Sequence, residues 1–421
     1  MKQRSLTKEK NTRHREFTYS APIGDEEINA AAEVLKSKRL SGFYKDFLGG
    51  EKVRRFEADF ADYTGVRHAI SVNSGTSALH MAIAALGIGP GDEVIVPPFT
   101  FTATVSAVLM NNAVPVFADI EPETFCISPE EIKKVITDRT KAIIPVHIYG
   151  KMAKMDEIID IASKKGIKVI EDACQSPGCT YKGRKAGSMA DAGVFSFVET
   201  KNMVIGEGGM VTTNDDGIAE RCRLIRNHGE VWMEGRPRQY LSNILGYNFR
   251  LTEVPAAIGI EQLKKLDRLN GIRRENASYL KKALGGLKAI RAMKYDDGEI
   301  CHLYPVLFNE KEAGMSRDEF IGLVNAEGVP VSRGYPHPLY RNPIFTEKIA
   351  YGDKGCPYTC PFYGKETDYR GLRCEVAEDV CERLVCIKHV HYPYGVEDMR
   401  FIVEVFERVL GKKDKTHVDL C

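Results

Sequence analysis

Residues 168–213 read KVIEDACQSPGCTYKGRKAGSMADAGVFSFVETKNMVIGEGGMVTT, and this stretch decides the fold. KVIED (168–172) and GVFSF (193–197) are short, apolar almost throughout and rich in β-branched or aromatic residues. Such runs suit strands covered on both faces. Working outward toward the N-terminus, the same signature recurs at HAISV (68–72), EVIVP (93–97), PVFADI (115–120) and AIIPVHI (142–148). Helical patterns lie between them. Met155, Ile158, Ile159 and Ala162 recur at helical spacing, and Gly166 supplies a C-terminal stop. Alternation of this kind predicts an α/β architecture, with a mostly parallel sheet flanked by helices.

Beyond Thr213 the rhythm changes. A long charged helix is expected from about Thr252 to Leu284, followed by looser α+β patterning and a final amphipathic helix over VEDMRFIVEVFERVL. A Pro-, Gly-, Tyr- and Cys-rich stretch, GYPHPLYRNPIF (334–345) to CPYTCPFYGKETDYRG (356–371), reads as a long irregular loop over about 335–375. It is expected to shape the mouth of a site. A chain of 421 residues exceeds what one core usually organises. We expect a mobile arm at 1–20, a large domain at 21–265 and a smaller α+β domain at 266–421.

Lys+Arg (59) and Asp+Glu (58) nearly balance, which argues against nucleic acid as a partner. No apolar run approaches the ~18 residues a membrane span requires. Eleven cysteines with no apolar stretch after the basic start do not read as a secreted disulfide framework, so a cytoplasmic location is expected. Cys356 and Cys360, with Cys374, Cys381, Cys386, His389 and His391 downstream, invite a zinc reading. Their loose spacing favours free thiols, and no metal is expected.

Three segments carry chemistry. In HAISVNSGTSALHMAIAALG a strand ends at Val72 and a helix begins near Ser77. The N–H groups of Gly75, Thr76 and Ser77 are thereby placed to hold a phosphate, though the turn would also serve as a simple cap. In KVIEDACQSPG, Asp172 stands at a strand's C-terminal tip, where open α/β sheets bind ligands. A carboxylate there can keep a pyridine nitrogen protonated; a helix-capping role is the plainer alternative. In the third, a strand delivers Ser196 and then Lys201 into a glycine-rich turn. Partial burial would leave that lysine's amine able to attack an aldehyde, although loop lysines are usually solvated.

Taken together, NSGTSALHMAI, VIVPPFTFTATVSAV, PVFADIEPETFCI, PVHIYGKMAKMDEI, the 169–197 run, TKN, GEGG, RNHG and GYNFRLTEVPAAIG cover more than half the chain. They make it resemble the DegT–DnrJ–StrS sugar aminotransferases of pyridoxal-phosphate (PLP) fold type I. The resemblance implies a Schiff base on Lys201, a pyridinium contact from Asp172 and a phenolic-oxygen contact from Gln175. Phe101 would stack on the cofactor, although Phe99 and Phe101 could both be core residues. Thr76, Ser77 and Ser196 would bind phosphate, and Asn248 would reach the neighbouring subunit's phosphate in a homodimer with shared sites. It further implies transfer of an amino group from glutamate or glutamine, via pyridoxamine phosphate, to a keto-sugar, nucleotide-linked or cyclitol. Tyr44 and Lys45 of RLSGFYKDFLGG, and His337 and Tyr340 of GYPHPLY, are candidate substrate contacts. The alternatives are a dehydratase, whose relatives carry His in place of Lys201, and a non-catalytic protein retaining the fold.

Overall fold

The computed structural model describes residues 16–44, 47–231 and 239–411. Thirteen strands are described: β1 His68–Val72, β2 Glu93–Val96, β3 Val114–Phe117, β4 Thr140–Ile143, β5 Lys168–Asp172, β6 Thr180–Tyr181, β7 Arg184–Lys185, β8 Ala192–Ser196, β9 Gly209–Thr213, β10 Ile290–Ala292, β11 Tyr304–Phe308, β12 Val331–Ser332 and β13 Leu384–Ile387. Seven form one sheet in the order β1-β9-β8-β5-β4-β2-β3. The pairs from β8 through β5, β4 and β2 to β3 are parallel, whereas β9 runs antiparallel to both β8 and β1. This is the α/β architecture with a mostly parallel sheet that the patterning predicts.

Most expected elements lie where the patterning put them. The helix Met155–Lys165 ends on Gly166 at φ 66°, and the long helix runs Glu253–Leu284. The run at 142–148 is cut short instead: β4 ends at Ile143, because Pro145 has no N–H to extend a ladder. Beyond it the contact with β5 is reduced to an isolated bridge at Val146, in which the Asp172 N–H donates to the Pro145 carbonyl and the His147 N–H to the Asp172 carbonyl.

A second sheet, ordered β10-β11-β13-β12, is antiparallel throughout and carries its own apolar cluster around Phe308, Phe320 and Phe406. The helix Glu253–Leu284 runs across residue 265 without a break. Its first half, with Ala256, Ile260 and Leu266, packs beneath the large sheet, and its second half, with Ala277, Leu280 and Leu284, packs on the small one.

Two expectations need correction. Residues 16–20 of the supposed arm are docked: Tyr394 Oη accepts from the Thr18 N–H at 2.8 Å and donates to the Thr18 carbonyl at 2.7 Å, while Phe17 packs 5.0 Å from the Tyr394 ring. The 335–375 segment is divided: Tyr335 faces a cavity at the C-terminal ends of the large sheet, and most of the rest covers the sheet's edge. Tyr369 donates to the Pro115 carbonyl on edge strand β3 at 2.7 Å, and Phe345 and Tyr369 set their rings edge-on to Phe117. Asp119, just past β3, accepts the N–H groups of Val376 and Ala377. An uncovered edge strand invites pairing with other chains, and this packing closes it.

Candidate active site

The C-terminal ends of β5 and β8 open on a cavity of about 730 Å³ whose lining includes Gly75, Thr76, Phe101, Asp172, Gln175, Ser196 and Lys201. Adjacent strand residues face opposite ways, and this parity divides the acidic pair. Asp172 reaches the cavity. Glu171, fully buried, turns to the other side and accepts N–H groups from Gly187, Met189 and Ala190.

Asp172 is held on both oxygens. Thr104 Oγ1 donates to Oδ2 at 2.8 Å, and the Cys174 N–H donates to Oδ1 at 3.2 Å. Gln175 is fixed by the Tyr149 N–H, which donates to its Oε1 at 2.8 Å. Its Nε2 therefore remains a donor, and one of its hydrogens goes to Tyr335 Oη at 3.2 Å. Lys201 sits on a loop closed by backbone bonds Phe197 N to Gly208 O and Ile205 N to Phe197 O. Burial lowers the proton affinity of its ammonium, against the opposing pull of Cys174 and Asp172.

The helix Gly75–Ala85 begins at the cavity, capped by Ser74, whose Oγ accepts the Ser77 N–H at 3.0 Å. Ser77 Oγ donates in turn to Asn73. Ser77 thus serves the cap and does not line the cavity, so the helix donors on offer are those of Gly75 and Thr76. Gly75 is required here, because a Cβ would come within 2.7 Å of the Ser196 Cβ.

The two phenylalanines separate. Phe99 is 1% exposed among Phe125, Tyr149 and Tyr335, whereas Phe101 is 57% exposed and faces the cavity. Asn248 is exposed and lies outside the lining, its carbonyl accepting from Asn73. Of the substrate candidates, Lys45 lies outside the described residues. Tyr44 lines a different hollow with Arg39 and Lys52. His337 pairs with Asn342 at the surface. Tyr340, 1% exposed, donates to Glu378 and accepts the Cys374 N–H, so it packs the edge cover and has no hydroxyl to offer a substrate. Among the described residues, no group of three or more His, Cys, Asp or Glu is arranged to hold a metal. None of their helices is long and apolar enough to cross a membrane.

Residue reading missed Thr104, Tyr149, Tyr335, His302, His389 and His391, all lining the cavity. Thr104 is the last of three threonines in FTFTAT (99–104), and the sequence alone does not single it out from Thr100 and Thr102. For His302, buried ahead of the apolar run YPVLF, no local signal exists.

The profile of the DegT/DnrJ/EryC1/StrS aminotransferase family matches residues 22–385. The chain belongs to this family. It is 37% identical over 381 residues to the spore coat polysaccharide biosynthesis protein SpsC of Bacillus subtilis, covering 86% of this chain and 95% of the relative. A GDP-perosamine synthase of Caulobacter vibrioides is 41% identical, covering 70% and 79%. An L-glutamine:2-deoxy-scyllo-inosose aminotransferase of Streptomyces fradiae is 36% identical, covering 90% and 91%. The crystal structure of an aminotransferase from Psychrobacter cryohalolentis superposes with a TM-score of 0.82 at 31% identity, covering 93% of this chain and 98% of that one.

This family member is a PLP-dependent aminotransferase. The residues present fit that cofactor: an amine of lowered proton affinity, a two-point-held carboxylate, an amide locked as a donor, and a helix start whose Gly75 leaves room beside Ser196.

Proposed function

We propose that the chain transfers an amino group from glutamate or glutamine to the ketone of a hydroxylated ring, a nucleotide-linked keto-sugar or a cyclitol. The observation that carries this reading is the meeting of Asp172 and Lys201 in one cavity with Gln175, Thr76 and Ser196. The names of the GDP-perosamine and inosose relatives support the class of acceptor.

When bound, PLP supplies an electron sink that lets a proton leave the carbon bearing the amine. Lys201 Nζ, neutral more readily than an exposed lysine, takes the proton from the donor's Cα and delivers one to the former ketone carbon of the acceptor. Asp172 keeps a ring nitrogen cationic, held in place by Thr104. Gln175 offers its remaining amide hydrogen to a phenolic oxygen, and Phe101 gives a flat apolar face. Thr76, Gly75 and Ser196 hold phosphate. Asn248, exposed and outside its own chain's cavity lining, completes the partner's site in a homodimer.

The test is a panel of nucleotide-linked keto-sugars and cyclitol ketones, each offered with glutamine and with glutamate, with the aminated product measured. Amination of a hydroxylated ring ketone supports the proposal. Amination of simple 2-oxo acids alone would overturn it.

A further inference from the structure

Three buried side chains form a line from the protein backbone to the cavity, and each fixes the orientation of the next. The Pro177 carbonyl can only accept a hydrogen bond, and it takes one from Asn270 Nδ2 at 2.9 Å. The amide of Asn270 is thereby oriented, so its Oδ1 is the acceptor for Asn202 Nδ2 at 3.3 Å. Asn202 in turn must present Oδ1 to His302 Nδ1, 2.9 Å away. An amide oxygen cannot donate, so the proton on that ring nitrogen belongs to His302. Asn270, Asn202 and His302 are at most 5% exposed, so water does not compete for these bonds. Gly178 keeps the line open, since a Cβ there would lie 2.8 Å from Asn270 Nδ2.

His302 lines the cavity. With Nδ1 committed to Asn202, the one ring nitrogen left for a ligand is Nε2, which carries a lone pair. The ring is also held neutral. Burial, then Lys201, Arg273 and His391, pull its pKa well below the ordinary histidine value. His391, on the same wall, repeats the arrangement: its Nδ1 donates to the Tyr392 carbonyl at 2.7 Å, and its pKa is pushed down to about 4, first by burial. Its Nε2 is an acceptor as well.

We propose that His302, locked in the Nδ1–H tautomer by the Pro177–Asn270–Asn202 line, is a specificity-determining acceptor that takes a hydrogen bond from a ring hydroxyl of the ketone substrate, with His391 as a second acceptor. This rests on the keto-sugar reading and deepens it. A wall of neutral acceptors selects hydroxyl donors. Substrates lacking the hydroxyl leave the lone pair buried without a partner, which is how sites built for a hydroxyl discriminate strongly.

Two measurements test it. In the ¹⁵N spectrum of the full-length holoenzyme, with His302 assigned by comparison with His302→Gln, Nε2 should show the shift of an unprotonated nitrogen from about pH 6 to 8. A proton on Nε2, or an imidazolium, would overturn the proposal. In kinetics, His302→Phe should lower kcat/KM for a hydroxylated ring ketone about tenfold or more, as expected for a buried polar contact. It should abolish the preference over the matching deoxy ketone and leave the half-reaction with the amino-acid donor within about twofold. Asn202→Leu should move the same quantities in the same direction, less strongly. Equal loss in both half-reactions would mark His302 as a structural residue and sink the idea. If wild-type enzyme aminates no ring ketone, the keto-sugar reading has failed and takes the hydroxyl role with it, while the spectrum still decides the tautomer.

Discussion

Thr104 Oγ1 donates a hydrogen bond of 2.8 Å to Asp172 Oδ2, joining a helix start to the tip of β5 across the floor of the cavity. The bond points one carboxylate oxygen and restrains the other, so the acid meets its partner in one geometry. Loss of a hydrogen bond to a buried carboxylate costs about 1.5–3 kcal/mol. Thr104→Val should therefore lower kcat about tenfold to a hundredfold, with donor KM little changed. Asp172→Asn, which removes the charge, should cost far more. Steady-state kinetics on the two variants checks the order; equal losses would show that Thr104 does more than orient the acid.

Lys201 gives a result in the covalent chemistry and another in stability. Borohydride treatment of holoenzyme should fix the cofactor on the peptide carrying Lys201, and Lys201→Ala should yield neither adduct nor amino transfer. Mass spectrometry of the digest decides this.

In the cofactor-free protein the same lysine should shape the pH dependence of folding. Unfolded, it holds its proton up to about pH 10.4; folded, burial lowers that value. Between the two values the unfolded state binds more protons, so stability rises with pH across that window. Subtracting the Lys201→Met curve from the wild-type curve isolates this slope from the buried thiols, which act in the opposite sense. A difference curve flat from about pH 7 to 10 would refute the depressed affinity.

Tyr335 fixes the second hydrogen-bond partner of Gln175. Tyr335→Phe should reduce activity roughly fivefold, the scale of one neutral hydrogen bond, and Gln175→Leu more than that. Absorbance of the bound cofactor should shift in both variants, since both alter what reaches its phenolic oxygen. An unshifted spectrum in Gln175→Leu would remove the amide from that role.

Tyr340 stands outside the cavity with its hydroxyl between Glu378 and the Cys374 N–H. Tyr340→Phe leaves the buried Cys374 N–H without its acceptor, while Glu378 keeps Arg341 and Arg373; it should destabilise the protein by about 1–3 kcal/mol without changing KM for either substrate. Denaturant unfolding beside kinetics on one preparation makes the comparison.

The sequence by itself determined the alternation of strands and helices, and the place of Asp172 at a strand tip and of Lys201 in a glycine-rich turn. These follow from apolar periodicity and backbone freedom, which neighbouring residues set among themselves. Tertiary structure alone decided that Ser77 is tied to the Ser74 cap while Gly75 and Thr76 face the cavity, that Phe101 is exposed to the cavity while Phe99 is buried, and that the 335–375 stretch is divided between the edge of β3 and the cavity, which Tyr335 rather than Tyr340 reaches. It also decided the bonds from His302 to Asn202, 100 residues away, and from Tyr335 to Gln175, 160 residues away. No local pattern encodes such partners, because at those separations only the packing of whole elements brings a donor to its acceptor.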